Sequence, residues 1–150
     1  MNTLKKIALF CFVSASVLLV ACSSDDDGAE ITAEVRINGT VLFDDGDDFD
    51  GDIDGDFTGN GGSETRTFLW NNALTTADYN ADITATSEGS FNMTVRDAGG
   101  EIVLDRSLSG DSEPDSFSGV TSAGVFGIWS VTITLVSFNG DGSFSLSEGN

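Results

Sequence analysis

The chain contains no histidine, two cysteines (Cys11 and Cys22) and one proline, Pro114. Both lysines, Lys5 and Lys6, sit at the N-terminus, which leaves Arg36, Arg66, Arg96 and Arg106 as the remaining cationic side chains. Each scarcity removes a class of chemistry. Without imidazole there is no histidine-based catalytic triad and no zinc site built on His. Beyond Cys22 there is no thiol, hence no cysteine nucleophile and no disulfide in the body of the chain. With so few cations, nucleic-acid phosphates find no partners and anionic lipid headgroups no electrostatic hold. Carboxylates, hydroxyls, four guanidinium groups and Tyr79 are what remain for chemistry.

The N-terminus has its own order. Lys5 and Lys6 precede an apolar run, Ile7 to Val20, interrupted only by Ser14 and Ser16. That run has the length of a signal-peptide core and is short for a bilayer span. It ends at Leu19-Val20-Ala21-Cys22, which resembles a bacterial lipobox. The resemblance implies a diacylglycerol on the Cys22 sulfur, cleavage before Cys22 and acylation of the new amino group. One acyl chain holds a protein to a membrane only marginally, whereas two or three make a lasting anchor. The next residues, Ser23, Ser24, Asp25, Asp26 and Asp27, resemble the acidic export signal of surface lipoproteins of the Bacteroidota. That implies an outer-membrane protein facing the cell exterior, with the lipoprotein export machinery as a partner.

The expected organisation is a signal helix over 1–21, a lipidated Cys and acidic tether over 22–30, and one domain over 31–150. Removing 1–21 leaves 129 residues, enough for a single core. It also removes both lysines and no acid, so the formal charge moves from −19 to −21. Such a charge favours solubility, cations and basic partners.

Beyond residue 30 the apolar residues recur at every second position. Ile31, Ala33, Val35 and Ile37 alternate with polar residues, as do Tyr79, Ala81, Ile83 and Ala85. Phe91, Met93 and Val95 follow the same rule, and so do Trp129, Val131, Ile133 and Leu135. Glu101 to Ser107 is read as a strand with Ile102 and Leu104 on one face. Asn38-Gly39, Asp97-Ala98-Gly99-Gly100 and Asn139-Gly140-Asp141-Gly142 punctuate the runs as turns. The period of two predicts eight or nine half-buried antiparallel strands. At this length they predict an all-β sandwich of Ig-like or jelly-roll-like type, with a small β-barrel as the alternative. The predicted core is Phe68, Trp70, Phe91, Met93, Val95, Trp129, Val131, Ile133, Phe144 and Leu146. The segment from Gly124 to Phe144 also resembles, loosely, the closing hairpin of bacterial secreted sandwich modules.

Residues 44–63 break the alternation and read as a long loop. Eight Asp fall within the thirteen residues 44–56. Asp50-x-Asp52-x-Asp54-Gly55 matches the start of a calcium loop, because calcium takes six to eight oxygens and glycine permits the sharp turn between them. The candidate calcium ligands are Asp48, Asp50, Asp52, Asp54 and Asp56. Gly61 stands where an EF-hand needs its bidentate Glu, so the match resembles only the Asp-rich loops of extracellular modules. The competing reading is a solvated acidic loop.

These readings lead to a membrane-anchored, non-enzymatic surface lipoprotein with a binding, structural or adhesive role, able to take calcium through its Asp-rich loop. Its partner would be a glycan or a surface protein. The alternative is a glycan-binding accessory protein of an uptake system. For that role Trp70 and Trp129 are assigned to the core, and Tyr79, at a strand start, is the aromatic expected at the surface. The remote alternative is a carboxylate-dependent glycoside hydrolase, but no spacing selects two of the many carboxylates as an acid–base pair. Arg66, Arg96 and Arg106 are expected to pair with surface carboxylates.

Overall fold

The computed structural model describes residues 30–85 and 87–149. The signal peptide, Cys22 and the run Ser23 to Asp27 lie outside them. The described chain is all-β, as the period of two predicts. Its strands are β1 (Ala33–Ile37), β2 (Thr40–Val41), β3 (Asp48–Phe49), β4 (Ile53–Asn72), β5 (Ala77–Ala85), β6 (Ser90–Arg96), β7 (Ile102–Ser109), β8 (Ser116–Val120) and β9 (Gly127–Glu148). Every ladder is antiparallel except the short one between β3 and β4.

Two long strands organise the rest. β4 and β9, of 20 and 22 residues, pair along almost their whole length. Their register shifts at Asn60–Gly62 and again at Gly62–Glu64, where the ladder is bulged. Bulges bend a strand and raise its twist, and here Gly61 and Ser137 both take positive φ. The Ser63 hydroxyl accepts from the Ser137 N–H at 2.8 Å, fastening the bend. The two halves of the ribbon then find different neighbours. The first half of β4 and the last half of β9 pair with β1 and β5, giving a layer ordered β2-β1-β4-β9-β5-β8. The last half of β4 and the first half of β9 pair with β3 and β6, giving a second layer ordered β3-β4-β9-β6-β7.

The layers face each other across aromatic rings. Phe57 of the first layer stacks on Phe91 of the second at 4.5 Å, and Phe144 lies 6.5 Å from Phe68. The fold is thus a sandwich made from one sheet bent over on itself. Among the described residues no ladder joins β7 to β8 or β2 to β3, so the alternative of a closed barrel is set aside.

All ten predicted core residues are buried. Two of the rings owe their places to glycine. Gly55 pairs across the ladder with Phe144, and Phe57 with Gly142. A Cβ on Gly55 would fall inside the Phe144 ring, and one on Gly142 inside the Phe57 ring. Each ring lies across the bare backbone of the facing strand.

Two readings are corrected. Residues 53–63 belong to β4 and are not a loop. Gly and Asp are depleted in strands on average, but here Gly55 is demanded by the Phe144 ring above it, and Gly59 and Gly62 by the close approach of the Phe138 and Thr32 backbones. In β7, Ile102 faces solvent at 49% exposure while Val103 and Leu104 are both buried. A bulge beside Arg96 breaks the alternation there.

Candidate functional site

The Asp-rich stretch is divided between the two layers. Asp45, Asp47 and the following residues run beside the last half of β4. Thr67 donates its N–H to the Asp45 carboxylate at 2.9 Å, Gly46 donates to the Thr67 carbonyl and Leu69 donates to the Asp47 carbonyl, both at 2.8 Å. The segment therefore covers the edge of β4, which would otherwise stand open to strand pairing. Trp70 fixes its far end by donating Nε1–H to the Gly51 carbonyl at 2.7 Å. Asp48 and Asp50 thus border the second layer, whereas Asp54 and Asp56 project outward from the first. The five proposed calcium ligands are all exposed or half-buried, and they do not converge. Among the described residues no group of three or more acidic, His or Cys side chains is arranged to hold a metal ion.

The aromatics are fastened inside. Trp70 and Trp129 are fully buried, edge to face at 6.0 Å. Trp129 Nε1–H donates to the Val125 carbonyl at 2.7 Å, so each indole ties down one connecting segment. Tyr79, expected at the surface, is half-buried on the inner side, edge to face with Phe117 at 5.9 Å, and its hydroxyl lies beside Gly119. None of the three forms a flat exposed platform.

The arginines are engaged in several ways. Arg36 pairs with Glu34 at 2.7 Å and Arg66 with Glu64 at 2.6 Å. Arg96 donates to the Gly100 carbonyl at 3.1 Å, and Arg106 lies over the Phe117 ring at 5.4 Å. Among the described residues the expected carboxylate partner is therefore found for Arg66 only; the other two are held by a backbone carbonyl and an aromatic face.

The clearest concavity lies on the outer face of the first layer. It is an open depression of about 670 Å³ lined by Asn38, Asp54, Asp56, Asn80, Ser143 and Ser145, with backbone from Gly39 and Gly55. The strand registers build it: Asp54 and Asp56 stand beside Ser145 and Ser143 of β9, and Asn80 and Asp82 of β5 stand on the other side of those serines. Asn38, at the β1–β2 turn, accepts from the Asp54 N–H at 2.9 Å, and Ser143 donates to Asp82 at 2.7 Å. Small polar side chains on three adjacent strands leave a shallow bed of acceptors and amides. Asp54 and Asp56 stand side by side on one strand and both line the depression.

Sequence reading missed this surface. Its signal was present as paired polar positions two apart in each strand, Asp54/Asp56, Asn80/Asp82 and Ser143/Ser145, but only the register brings those pairs together.

One buried carboxylate lies elsewhere. Asp97, 6% exposed, accepts from the N–H of Gly99 and Glu101 at 2.9 Å each and of Val125 at 2.7 Å. The Val125 N–H first, then those of Glu101, Gly99 and Gly100, hold its carboxyl below the usual carboxylate range, while burial works the other way. It fastens the β6–β7 turn to the segment ahead of β9.

Neither a family model nor a curated protein matches the chain. Among solved structures it is similar to a carbohydrate-binding module, TmCBM61, solved with β-1,4-galactotriose. The identity is 11% and the TM-score 0.37, over 67% of this chain and 63% of that one, which is less than two thirds of the module.

Proposed function

We propose that the chain is a lipoprotein held in the outer membrane by acyl groups on Cys22, displayed on the outer surface, and that its sandwich is a non-enzymatic contact module. The observation that carries this is the order of Lys5-Lys6, the apolar run, Leu19-Val20-Ala21-Cys22 and the acidic Ser23 to Asp27. The geometry of attachment supports it. From Cys22 to Glu30 the chain spans at most about 28 Å. It meets the fold at the bent end of the ribbon, where Asn60 donates to the Glu30 carbonyl and to the Thr32 carbonyl. Both outer faces and the opposite end of the sandwich are then free for partners. In Cys22→Ser, radiolabelled palmitate should disappear from the chain, and the protein should stay uncleaved or leave the membrane fraction. Normal cleavage and normal membrane attachment of that variant would overturn the assignment.

A second reading, a glycan ligand, is favoured by the depression of Asn38, Asp54, Asp56, Asn80, Ser143 and Ser145. Its carboxylates accept hydrogen bonds only, so a ligand must bring donors, and the hydroxyls of a neutral sugar do so. The core lies wholly between Val35 and Leu146, so a 28–150 fragment carries all of it and suits a glycan array. Binding there should vanish in Asp54→Ala/Asp56→Ala. An array without signal would leave the contact role with protein partners.

A further inference from the structure

The two outer faces differ in charge. That of the first layer carries Asp54, Asp56, Asp78, Asp82 and Asp141, with Glu34 beside its one cation, Arg36. On the four broad strands of the second layer, β4, β9, β6 and β7, the outward positions hold one acid, Asp105, and one cation, Arg96. Asp48 stands at the margin, on β3. The remainder is hydroxyl, amide or aliphatic, in register. Thr67, Thr132 and Thr94 form one row across three strands, and Thr65, Thr134 and Asn92 form the next. Above them Leu69 begins a row that runs through Ser130 and Arg96 to the exposed Ile102. Side chains within this face brace one another: Thr67 to Thr132 at 2.9 Å, Thr94 to Asn92 at 3.0 Å, and Asn92 to Asp105 at 2.9 Å.

We propose that this face is where two membrane-anchored copies of the chain pair. Charge selects it. A second copy brought against the first layer meets like carboxylates, and against the second it meets almost none. Four strands about 4.8 Å apart share the seven rows of β6 and so cover roughly 440 Å². A face-to-face pair would bury about 900 Å² in total, below the range of stable specific interfaces. That suits a contact which is weak in solution and strengthened when both copies share one membrane.

The anchor, on the reading given above, fixes the symmetry. Both bent ends must face the same bilayer, so the two-fold axis runs along the strands and rows of equal height meet. An axis between β9 and β6 sets β9 against the second copy's β6, and β4 against its β7. Leu69 then meets the second copy's Ile102, Thr132 meets its Thr94, and Thr65 meets its Ser107. Residue i meets j and j meets i, as an isologous interface requires. Two sheets packed this way absorb their twist at an aligned angle of about 30°.

The test is cysteine cross-linking of the full chain in isolated membranes. Leu69 and Ile102 of one copy are three strand spacings apart, about 14 Å, too far for a disulfide within the chain. Leu69→Cys/Ile102→Cys is expected to give a disulfide dimer as its major species under mild oxidation. Thr65→Cys/Ser107→Cys, which changes two exposed residues and so spares the core, should do the same. Asp54→Cys/Asn80→Cys, on the acidic face, should stay monomeric. If neither pair on the second layer yields more dimer than the acidic-face pair, the proposal falls. Palmitate labelling of the same samples reads the anchor separately. A labelled chain that does not cross-link overturns the pairing alone, and an unlabelled chain overturns the anchor but supports the pairing only where it yields more dimer than the acidic-face pair, which carries the same Cys11 and Cys22 thiols.

Discussion

Gly142 lies under the ring of Phe57, and the consequence is measurable. Its backbone is extended, so alanine is allowed there by conformation and opposed by space. The ring cannot simply move aside, because it is stacked on Phe91 and packed edge to face on Phe138. Overfilling a packed core costs about 1–3 kcal/mol. Gly142→Ala should therefore lower the melting temperature by several degrees in a domain of this size, roughly 4 °C per kcal/mol. The same Cβ would meet the Asp82 carbonyl of β5, so an unchanged melting curve would mean that both the ring and that backbone have room to retreat. Asp97 makes a different demand, on pH. Its carboxyl is held below the usual range by backbone N–H groups, Val125 foremost. A depressed folded pKa means that the stabilisation is complete above the ordinary carboxylate value of about 3.9 and is lost as pH falls through the lower folded value. Asp97→Asn should be less stable at neutral pH, since its amide would turn a donor toward one of three N–H donors. Its stability should also vary less with pH below about 4. Thermal melts from pH 7 down to 2.5 check both, and parallel curves for the two proteins would reject the role given to this carboxyl.

At the scale of the element, the Asp-rich stretch is where sequence and structure part. Alternation in β5, β6 and the first half of β9 was legible because each strand is wet on one face and dry on the other, and Phe91, Met93, Val131 and Ile133 are where the period of two places them. The same alternation was present at Ile53, Gly55 and Phe57, but glycine stands in one of the three inward positions and carries no hydrophobic signal. Its missing side chain is supplied by Phe144, eighty-nine residues further along the chain. Tyr79 was misplaced for a related reason: a strand start says nothing about the neighbour, and Phe117 on β8 covers it. The outcome bears on calcium. As built, the chain uses the backbone of 46–51 and the Asp45 carboxylate to cover β4, and leaves the other carboxylates divided between the edge of the second layer and the outer face of the first. Calcium asks for six to eight oxygens around one point. Melting temperatures of the 28–150 fragment in millimolar calcium and in chelator are therefore expected to coincide. A calcium-dependent rise of several degrees, with terbium bound at the same stretch, would establish a specific site that the free chain does not preform.

At the scale of the molecule, the dominant quantity is charge. The total was legible from composition, but its distribution was not, because a strand's outward residues can be assigned to a layer only once the bend in β4 and β9 is known. With that bend, Asp54, Asp56, Asp78, Asp82 and Asp141 fall on one outer face, on strands whose neighbours stand about 4.8 Å apart. Like charges so placed repel through water, and the repulsion is released on unfolding, so it subtracts from stability. Salt screens it: the Debye length is about 30 Å at 0.01 M and about 8 Å at 0.15 M. The 28–150 fragment should therefore melt several degrees higher at 0.15 M than at 0.01 M, equally in sodium and potassium chloride, because screening depends on ionic strength and not on the identity of the ion. Asp82→Asn should shrink the salt effect by removing a charge from the middle of the cluster, although it also alters the acceptor of the Ser143 hydroxyl. The salt slope, not the absolute melting temperature, is the quantity to compare. A slope of zero in the parent fragment would mean that the carboxylates of this face do not act on one another.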